Sequence, residues 1–215
     1  MELLIKISEA LQKGKAKDVK AMVQEAVDAG ISAQQILNEG LLSGMNVIGV
    51  KFKNNEVYVP DVLIAARAMK AGTEILKPLL VADGVKATGR VVIGTVKGDL
   101  HDIGKNLVGM MMEGQGLEVI DVGTDVSADR FIAAATENNA QIICCSALLT
   151  TTMGEMKAVV EAAVAAGIRD KVTIMVGGAP VNDAFAKSIG ADIYTPDAAS
   201  AAEAAVAALK AKGQA

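Results

Sequence analysis

Apolar residues in the first 82 positions recur at the spacing of amphipathic helices. The first of these helices is marked by Leu3, Leu4, Ile7 and Leu11. A second is predicted from Ala16 to Ala29, with Gly30 just beyond its end as a C′ glycine. Ser32 follows as a plausible N-cap of the next helix. The pattern therefore predicts helices with very short connections from the start of the chain.

Two more helices complete this half of the chain. The third carries the apolar positions Ile36, Leu37, Leu41, Met45, Ile48 and Val50 and ends at the turn signal Asn54-Asn55. Pro60 lies near the first turn of a fourth, which bears Leu63, Ile64, Met69 and Leu76. Four helices joined this closely predict a four-helix bundle over residues 1–89. The polar, glycine-bearing stretch 83–89 is the predicted linker.

The pattern changes at residue 90 to short apolar runs that alternate with helical segments. Strands are expected near 90–96, 117–121, 141–146, 171–176 and 191–194, and a last, alanine-rich helix near 198–211. This alternation predicts a parallel sheet with right-handed crossovers. Five strands favour the flavodoxin-like order 2-1-3-4-5, so the fold class is α/β, with a Rossmann-like domain over 90–215.

Composition narrows the function classes. The chain is 52% hydrophobic and only 2% aromatic, with a net charge of −4, which argues against binding nucleic acid. No membrane-spanning run and no signal peptide are evident, so we expect a cytoplasmic protein that does not bind membranes. Its two cysteines, Cys144 and Cys145, are adjacent in a predicted strand, where side chains point to opposite faces. We interpret them as buried thiols.

The only histidine lies in Gly98-Asp99-Leu100-His101-Asp102-Ile103-Gly104, between the first predicted strand and a helix. Loops at the carboxyl ends of parallel strands are where such sheets bind ligands. Asp99 can accept a hydrogen bond from Nδ1 and aim Nε2 outward as a metal ligand. Zinc would need three or four protein ligands, so one imidazole suffices only if a macrocycle fills the other positions. The alternative is a histidine that hydrogen-bonds only its own loop.

Three ordered motifs resemble a known family. Asp99 to Gly104 matches D-x-H-x-x-G, Ser146-Ala147-Leu148 matches S-x-L, and Gly177-Gly178 matches G-G. With these motifs the chain resembles the cobalamin-binding proteins of B12-dependent methyltransferase systems, including the cap and cobalamin-binding domains of methionine synthase. The resemblance covers nearly the whole chain. The resemblance implies cobalamin or a related corrinoid as cofactor.

The resemblance also assigns roles to individual residues. His101 would ligate the cobalt, in a relay with Asp99 and Thr152, where methionine synthase has a serine. Phe52, Val59 and Val62 of the helical cap would lie over the cobalt-bound methyl group. The cofactor-binding residues would be Gly98, Asp99, Leu100, His101, Asp102, Ile103, Gly104, Ser146, Leu148, Thr150, Gly177, Gly178 and Ala198, together with the three cap residues.

In function, the resemblance implies a methyl carrier that binds cobalamin base-off, with the histidine on cobalt. Cycling between Co(I) and methyl-Co(III), it would carry a methyl group from a substrate:corrinoid methyltransferase to an acceptor methyltransferase. The acceptor would be tetrahydrofolate or a thiol such as coenzyme M, with a reductive activase as a third partner and 83–89 as a hinge. Alternatives are the B12-binding subunit of a mutase, a cobalamin-sensing regulator, or a flavodoxin-like domain without corrinoid.

Overall fold

The structure is a computed structural model that describes residues 2–83 and 87–213. They fall into two compact units that divide between residues 87 and 88, and residues 114–116 group with the first unit. The sequence had indicated a boundary between residues 89 and 90. Residues 84–86 of the predicted linker and hinge lie outside the described residues. Within the described ranges, no helix is both long and apolar enough to cross a membrane.

The first unit is helical, as predicted. Its elements are α1 (Glu2–Gln12), α2 (Ala16–Asp28), α3 (Ala33–Gln35), a π-helical stretch (Ile36–Leu42), α4 (Ser43–Lys53) and α5 (Val59–Ala82). The predicted third helix is thus α3, the π-helical stretch and α4 in succession. The Ser32 hydroxyl accepts from the backbone N–H of Gln35 at 3.2 Å, which confirms Ser32 as an N-cap.

The π-helical stretch is a feature that the pattern did not predict. It lies where α1 packs closely against the third helix. A Cβ on Gly40 would come within 3.2 Å of Ile7, and one on Gly44 would come within 2.9 Å of the Ser8 carbonyl oxygen. The fully buried side chains of Ile7, Leu41 and Leu76 lie in the core of this unit. Close packing therefore depends on the two glycines.

The second unit is an α/β domain. Its strands are β1 (Arg90–Thr95), β2 (Glu118–Asp121), β3 (Ile142–Ser146), β4 (Thr173–Gly177) and β5 (Ile193–Tyr194). All pairs are parallel and the spatial order is β2-β1-β3-β4-β5, which confirms the predicted topology. The accompanying helices are α6 (Ile103–Glu113), α7 (Ala128–Glu137), α8 (Gly154–Ala165), α9 (Asp183–Ser188) and α10 (Ala198–Ala211).

The central strands of this sheet form its core. β1, β3 and β4 are almost entirely buried, and Phe131 of α7 and Met156 of α8 pack against them. In the register, Thr95 lies beside Ser146 and Ser146 lies beside Gly177. The carboxyl ends of the three strands are therefore level, and the three predicted motifs follow them at the same edge of the sheet.

Candidate functional site

The histidine loop leaves the end of β1 and enters α6. It turns at Gly98, whose φ of 78° is a left-handed conformation that glycine adopts without strain. The Thr95 hydroxyl, fully buried at the end of β1, donates to the His101 carbonyl oxygen at 2.8 Å. The loop is therefore tied to the strand directly beneath the imidazole.

Asp99 is the centre of the site. Its side chain has no exposed surface, and one oxygen, Oδ1, lies 2.7 Å from His101 Nδ1 and accepts from the His101 backbone N–H at 3.1 Å. The other, Oδ2, accepts from the Thr152 hydroxyl at 2.8 Å and from the backbone N–H groups of Leu148 and Leu149 at 2.8 and 3.1 Å. Every member of the predicted relay is in hydrogen-bonding contact.

These contacts determine the charge of Asp99. Burial alone raises the pKa of a carboxyl group, but here the hydrogen bonds from His101, Leu148 and Thr152 outweigh burial and hold the pKa of Asp99 well below its usual value. Asp99 is therefore ionised at neutral pH and can only accept hydrogen bonds. The carboxylate accepts from a proton on Nδ1, and in the tautomer that has its proton there the Nε2 lone pair is free to bind a metal.

The imidazole is half exposed, and the loops at this edge carry exposed apolar residues. The His101 side chain is 51% exposed. The exposed apolar residues on the same loops are Leu100, Ile103, Leu148 and Leu149. A Cβ on Gly104 or Gly177 would meet no atom within 4 Å. A single nitrogen ligand set among apolar side chains and open glycines fits a large planar macrocycle such as a corrinoid, which supplies its own equatorial ligands.

A metal site built from protein groups alone would look different. Across residues 2–83 and 87–213, no group of three or more His, Cys, Asp or Glu side chains is arranged to hold a metal ion. The carboxylates at this edge are engaged in hydrogen bonds, of Asp99 with His101, Asp102 with Asn106 and Asp125 with Gly98, and the imidazole is the one nitrogen ligand that the histidine loop offers.

Gly177 and Gly178 have different surroundings. Gly178 has φ 131°, and a Cβ there would lie 1.8 Å from the Ala147 carbonyl oxygen. Only glycine can therefore occupy position 178, since a backbone atom cannot move aside. The Ala147 N–H donates to the Gly177 carbonyl oxygen at 3.2 Å. Gly178 thus serves the contact between the β3 and β4 loops, whereas Gly177 faces open space.

The remaining predicted residues occupy varied positions. Ser146 is half-buried at the end of β3, Thr150 is exposed in the following loop, and Asp102 is exposed and accepts from the Asn106 side chain at 3.1 Å. Ala198 is buried at the start of α10. In the helical unit, Phe52 and Val59 are half-buried and Val62 is fully buried. The predicted cofactor contacts of these residues stay predictions.

The structure adds Asp125, Thr95 and Leu149 to the residues that build the site. Asp125 lies after β2, where its side chain accepts from the Gly98 backbone N–H at 2.7 Å. No local pattern in the sequence indicates this contact, because the two residues are 27 positions apart. The one available signal is an aspartate in a strand-end loop that the strand order brings beside β1.

Comparison with known proteins agrees with this geometry. Residues 89–206, more than half of the chain, match the family model described as a B12 binding domain. Residues 3–77 match a second family model with the same description. The two matches correspond to the α/β and the helical parts of the chain.

Individual relatives share both parts. The dimethylamine corrinoid protein of Methanosarcina barkeri is 44% identical over 202 residues, covering 93% of this chain and 94% of the relative. A corrinoid protein of Desulfitobacterium hafniense (strain Y51) is 40% identical over 206 residues, covering 94% and 95%. A crystal structure of the methanol:cobalamin methyltransferase complex from Methanosarcina barkeri matches with a TM-score of 0.87 at 32% identity, covering 97% of this chain and 80% of that one. The chain therefore belongs to the B12-binding corrinoid proteins of methyltransferase systems.

Proposed function

We propose that this corrinoid protein carries a methyl group with its cofactor bound base-off and with His101 Nε2 on the cobalt. The observation that carries the proposal is the hydrogen bond between His101 Nδ1 and the buried, ionised Asp99. It holds the imidazole in one tautomer and leaves Nε2 accessible. Carboxylate–histidine pairs orient and strengthen metal-binding imidazoles in this way.

A bound corrinoid supplies a cobalt centre that accepts and releases methyl groups. The chain supplies the surroundings. Asp99 orients the His101 imidazole through Nδ1, and the Thr152 hydroxyl holds Asp99 in turn. Leu100, Ile103 and Leu148 are exposed apolar residues that would exclude water from a bound macrocycle.

The other predicted contacts belong to the same proposal. Ser146 and Thr150 offer hydroxyls to the cofactor, and Gly104 and Gly177 leave room for its displaced nucleotide tail. Ala198 lies near the buried base, and Gly98, Asp102 and Gly178 shape the surrounding loops. The matched cap motif assigns the shelter of the methyl group to Phe52, Val59 and Val62 of the helical unit, of which Val62 has no exposed surface in this structure. Support for these roles comes from the matched motifs and, for Gly104 and Gly177, from the open space in front of them.

The partners follow from the relatives. The matched crystal structure is of a methyltransferase complex, and curated relatives are corrinoid proteins for dimethylamine. We propose that a substrate:corrinoid methyltransferase loads the methyl group in the cytoplasm and that a second methyltransferase passes it to tetrahydrofolate or to a thiol such as coenzyme M. A reductive activase restores the cofactor after accidental oxidation.

The test uses the fact that the chain has a single histidine. The protein is reconstituted with cobalamin, reduced to the paramagnetic Co(II) state, and studied by electron paramagnetic resonance with either natural-abundance or ¹⁵N-labelled histidine. A ¹⁴N axial ligand splits each cobalt line into a triplet, and a ¹⁵N ligand splits it into a doublet. We expect a doublet in the labelled protein, because the ligand is the ¹⁵N-labelled histidine. The cofactor's own base carries ¹⁴N and would give a triplet.

Two variants complete this experiment. His101→Ala removes the ligand, and the histidine-ligated spectrum is expected to disappear. Lys97→Ala changes an exposed residue of the same loop that makes no contact with the imidazole, and wild-type spectra are expected. A triplet in the ¹⁵N-labelled protein would show that the nucleotide base remains on the cobalt and that the proposed ligand is wrong.

A further inference from the structure

We propose that Asp125 is a positioning residue for the cobalt ligand, acting as a clamp on the backbone of the histidine loop. The inference rests on the proposed function, in which His101 holds the cobalt. The hydrogen bonds of Asp125 go to the backbone of the loop and not to the imidazole. Asp125 acts on the two residues before Leu100 and thereby on the direction in which the imidazole points.

The clamp consists of two hydrogen bonds between loops that follow different strands. Asp125 Oδ1 accepts from the Gly98 N–H at 2.7 Å, and the Asp125 N–H donates to the Asp99 carbonyl oxygen at 2.9 Å. Asp125 therefore binds the first N–H and the last carbonyl group of the Gly98–Asp99 dipeptide, one through its side chain and one through its backbone.

The segment around Asp125 is itself anchored to β1. The Thr95 N–H donates to the Gly123 carbonyl oxygen at 2.9 Å, and the Val126 N–H donates to the Thr95 carbonyl oxygen at 3.0 Å. Val96 and Val126 form a parallel bridge. The loop after β2 thus continues the sheet beside β1, which gives Asp125 a rigid base from which to hold Gly98.

The residue type matters for two separate reasons. Asp125 has φ 54°, a left-handed conformation that aspartate, asparagine and glycine tolerate better than other residues. Its side chain must also provide an acceptor for the Gly98 N–H. Asparagine meets both requirements, glycine meets only the conformational one, and alanine meets neither. Comparing the asparagine and glycine variants therefore distinguishes the need for a side-chain acceptor from the need for a left-handed backbone.

The contacts of the Asp99 side chain and those of Asp125 hold different groups of the same residue. Leu148, Leu149 and Thr152 bind the carboxylate of Asp99, while Asp125 binds its backbone carbonyl group. Because Asp99 Oδ1 orients His101, any freedom of the Asp99 backbone becomes freedom of the imidazole. A ligand fixed before binding loses less conformational entropy on coordination.

The first measurement needs no cofactor. Amide hydrogen exchange at Gly98 is followed by NMR in the apo protein, for wild type, Asp125→Asn and Asp125→Gly. We expect exchange about tenfold faster in Asp125→Gly and within about twofold of wild type in Asp125→Asn, since one hydrogen bond to a carboxylate or amide oxygen is lost or kept. Asn139→Gly is the matched control, because Asn139 is a left-handed residue (φ 49°) at the end of α7.

The second measurement is cobalamin affinity, determined by equilibrium dialysis so that it can also be measured without His101, and the histidine-ligated spectrum is recorded wherever the ligand is present. Asp125→Gly is expected to weaken binding by about tenfold, with Asp125→Asn and Asn139→Gly near wild type. The same substitution in a His101→Ala background is expected to change affinity by less than twofold, because a positioning residue has nothing to position once the ligand is gone. Such a cycle isolates the coupling between the two residues.

The outcomes separate this inference from the proposed function. If wild type shows histidine ligation but Asp125→Gly binds cobalamin equally well, or weakens binding equally with and without His101, the clamp is refuted and the ligand stands. The clamp is also refuted if Asp125→Asn behaves like Asp125→Gly, since charge rather than an acceptor would then matter. A wild type without histidine ligation overturns both.

Discussion

A carboxylate without exposed surface is costly unless its oxygens are fully hydrogen-bonded, and Asp99 meets that condition. Three of its donors are backbone N–H groups, of His101, Leu148 and Leu149, and an ordinary side-chain substitution leaves them in place. The Thr152 hydroxyl is the donor that can be removed with little change of shape. Its contribution to the site can therefore be measured directly.

We predict that Thr152→Val destabilises the apo protein by about 1–3 kcal/mol at pH 7, because the ionised Asp99 loses a charge-assisted hydrogen bond. Thr152→Ser keeps the hydroxyl, and we expect less than about half of that loss. Urea unfolding followed by circular dichroism gives both values. Equal stability of the valine and serine variants would show that the hydroxyl contributes nothing.

The pH dependence of this difference has a definite sign. The pKa of Asp99 is lowered in the folded state, so its stabilising effect is complete above the unfolded pKa of about 3.9. That effect is lost as the pH falls from about 4 toward the folded pKa. In Thr152→Val the pKa of Asp99 is lowered less, because one hydrogen bond to the carboxylate is missing. This variant therefore loses less stability as the pH falls. The stability difference between wild type and Thr152→Val should therefore narrow below pH 4.

At the scale of elements, α6 and β2 are joined by an ion pair of unequal burial. Lys105 of α6 is 3% exposed, whereas its partner Asp121, at the end of β2, is 45% exposed. Asp121 also accepts from the Gly123 N–H at 2.9 Å, at the start of the loop that leads to Asp125. The pair thus ties the first helix after the histidine loop to the neighbouring strand.

We predict that Asp121→Asn destabilises the protein by about 1–3 kcal/mol and that Lys105→Met destabilises it by less than about 1 kcal/mol. The first leaves a buried ammonium without its partner, while the second replaces it with an apolar side chain of similar length. Asparagine at position 121 keeps an acceptor for the Gly123 N–H, so Asp121→Asn removes the charge of Asp121 without removing that hydrogen bond. Thermal and urea unfolding measure both variants, and the reverse order would contradict this account.

At the scale of the whole molecule, the thiols of β3 report on the opening of the sheet. β3 lies between β1 and β4, and Cys144 and Cys145 are both free and buried. Burial raises the pKa of Cys145 to about 12 and raises that of Cys144 as well, with the neighbouring Cys145 thiol adding to the effect. Since the thiolate is the reactive form, folded β3 should be nearly inert to thiol reagents.

We predict that neither cysteine reacts appreciably with Ellman's reagent at pH 8 in the native protein, and that both react at once in denaturant. Cobalamin should slow the residual native reaction, because a ligand that binds only the folded state lowers the population of open forms. Cys144→Ala, with one thiol left, is the stoichiometric control. Fast labelling without loss of circular dichroism would show that β3 is accessible in the folded state.

Local patterns were sufficient for much of this protein. Helical spacing predicted the bundle, apolar runs predicted five parallel strands in the observed order, and Ser32 and Pro60 marked helix starts that the structure has. They could not predict the π-helical stretch, which coincides with close packing of α1 on Gly40 and Gly44. Nor could they show that Val62 is fully buried.

By itself, the sequence determined the elements, their order and the single imidazole that follows β1, because these depend on neighbours within a few positions along the chain. Only the tertiary structure decided which groups meet that imidazole's carboxylate. Thr152 lies 53 positions from Asp99, and Asp125 reaches Gly98 from 27 positions away. Such contacts depend on strand register and loop conformation, which are properties of the packed sheet and are not encoded in any local pattern.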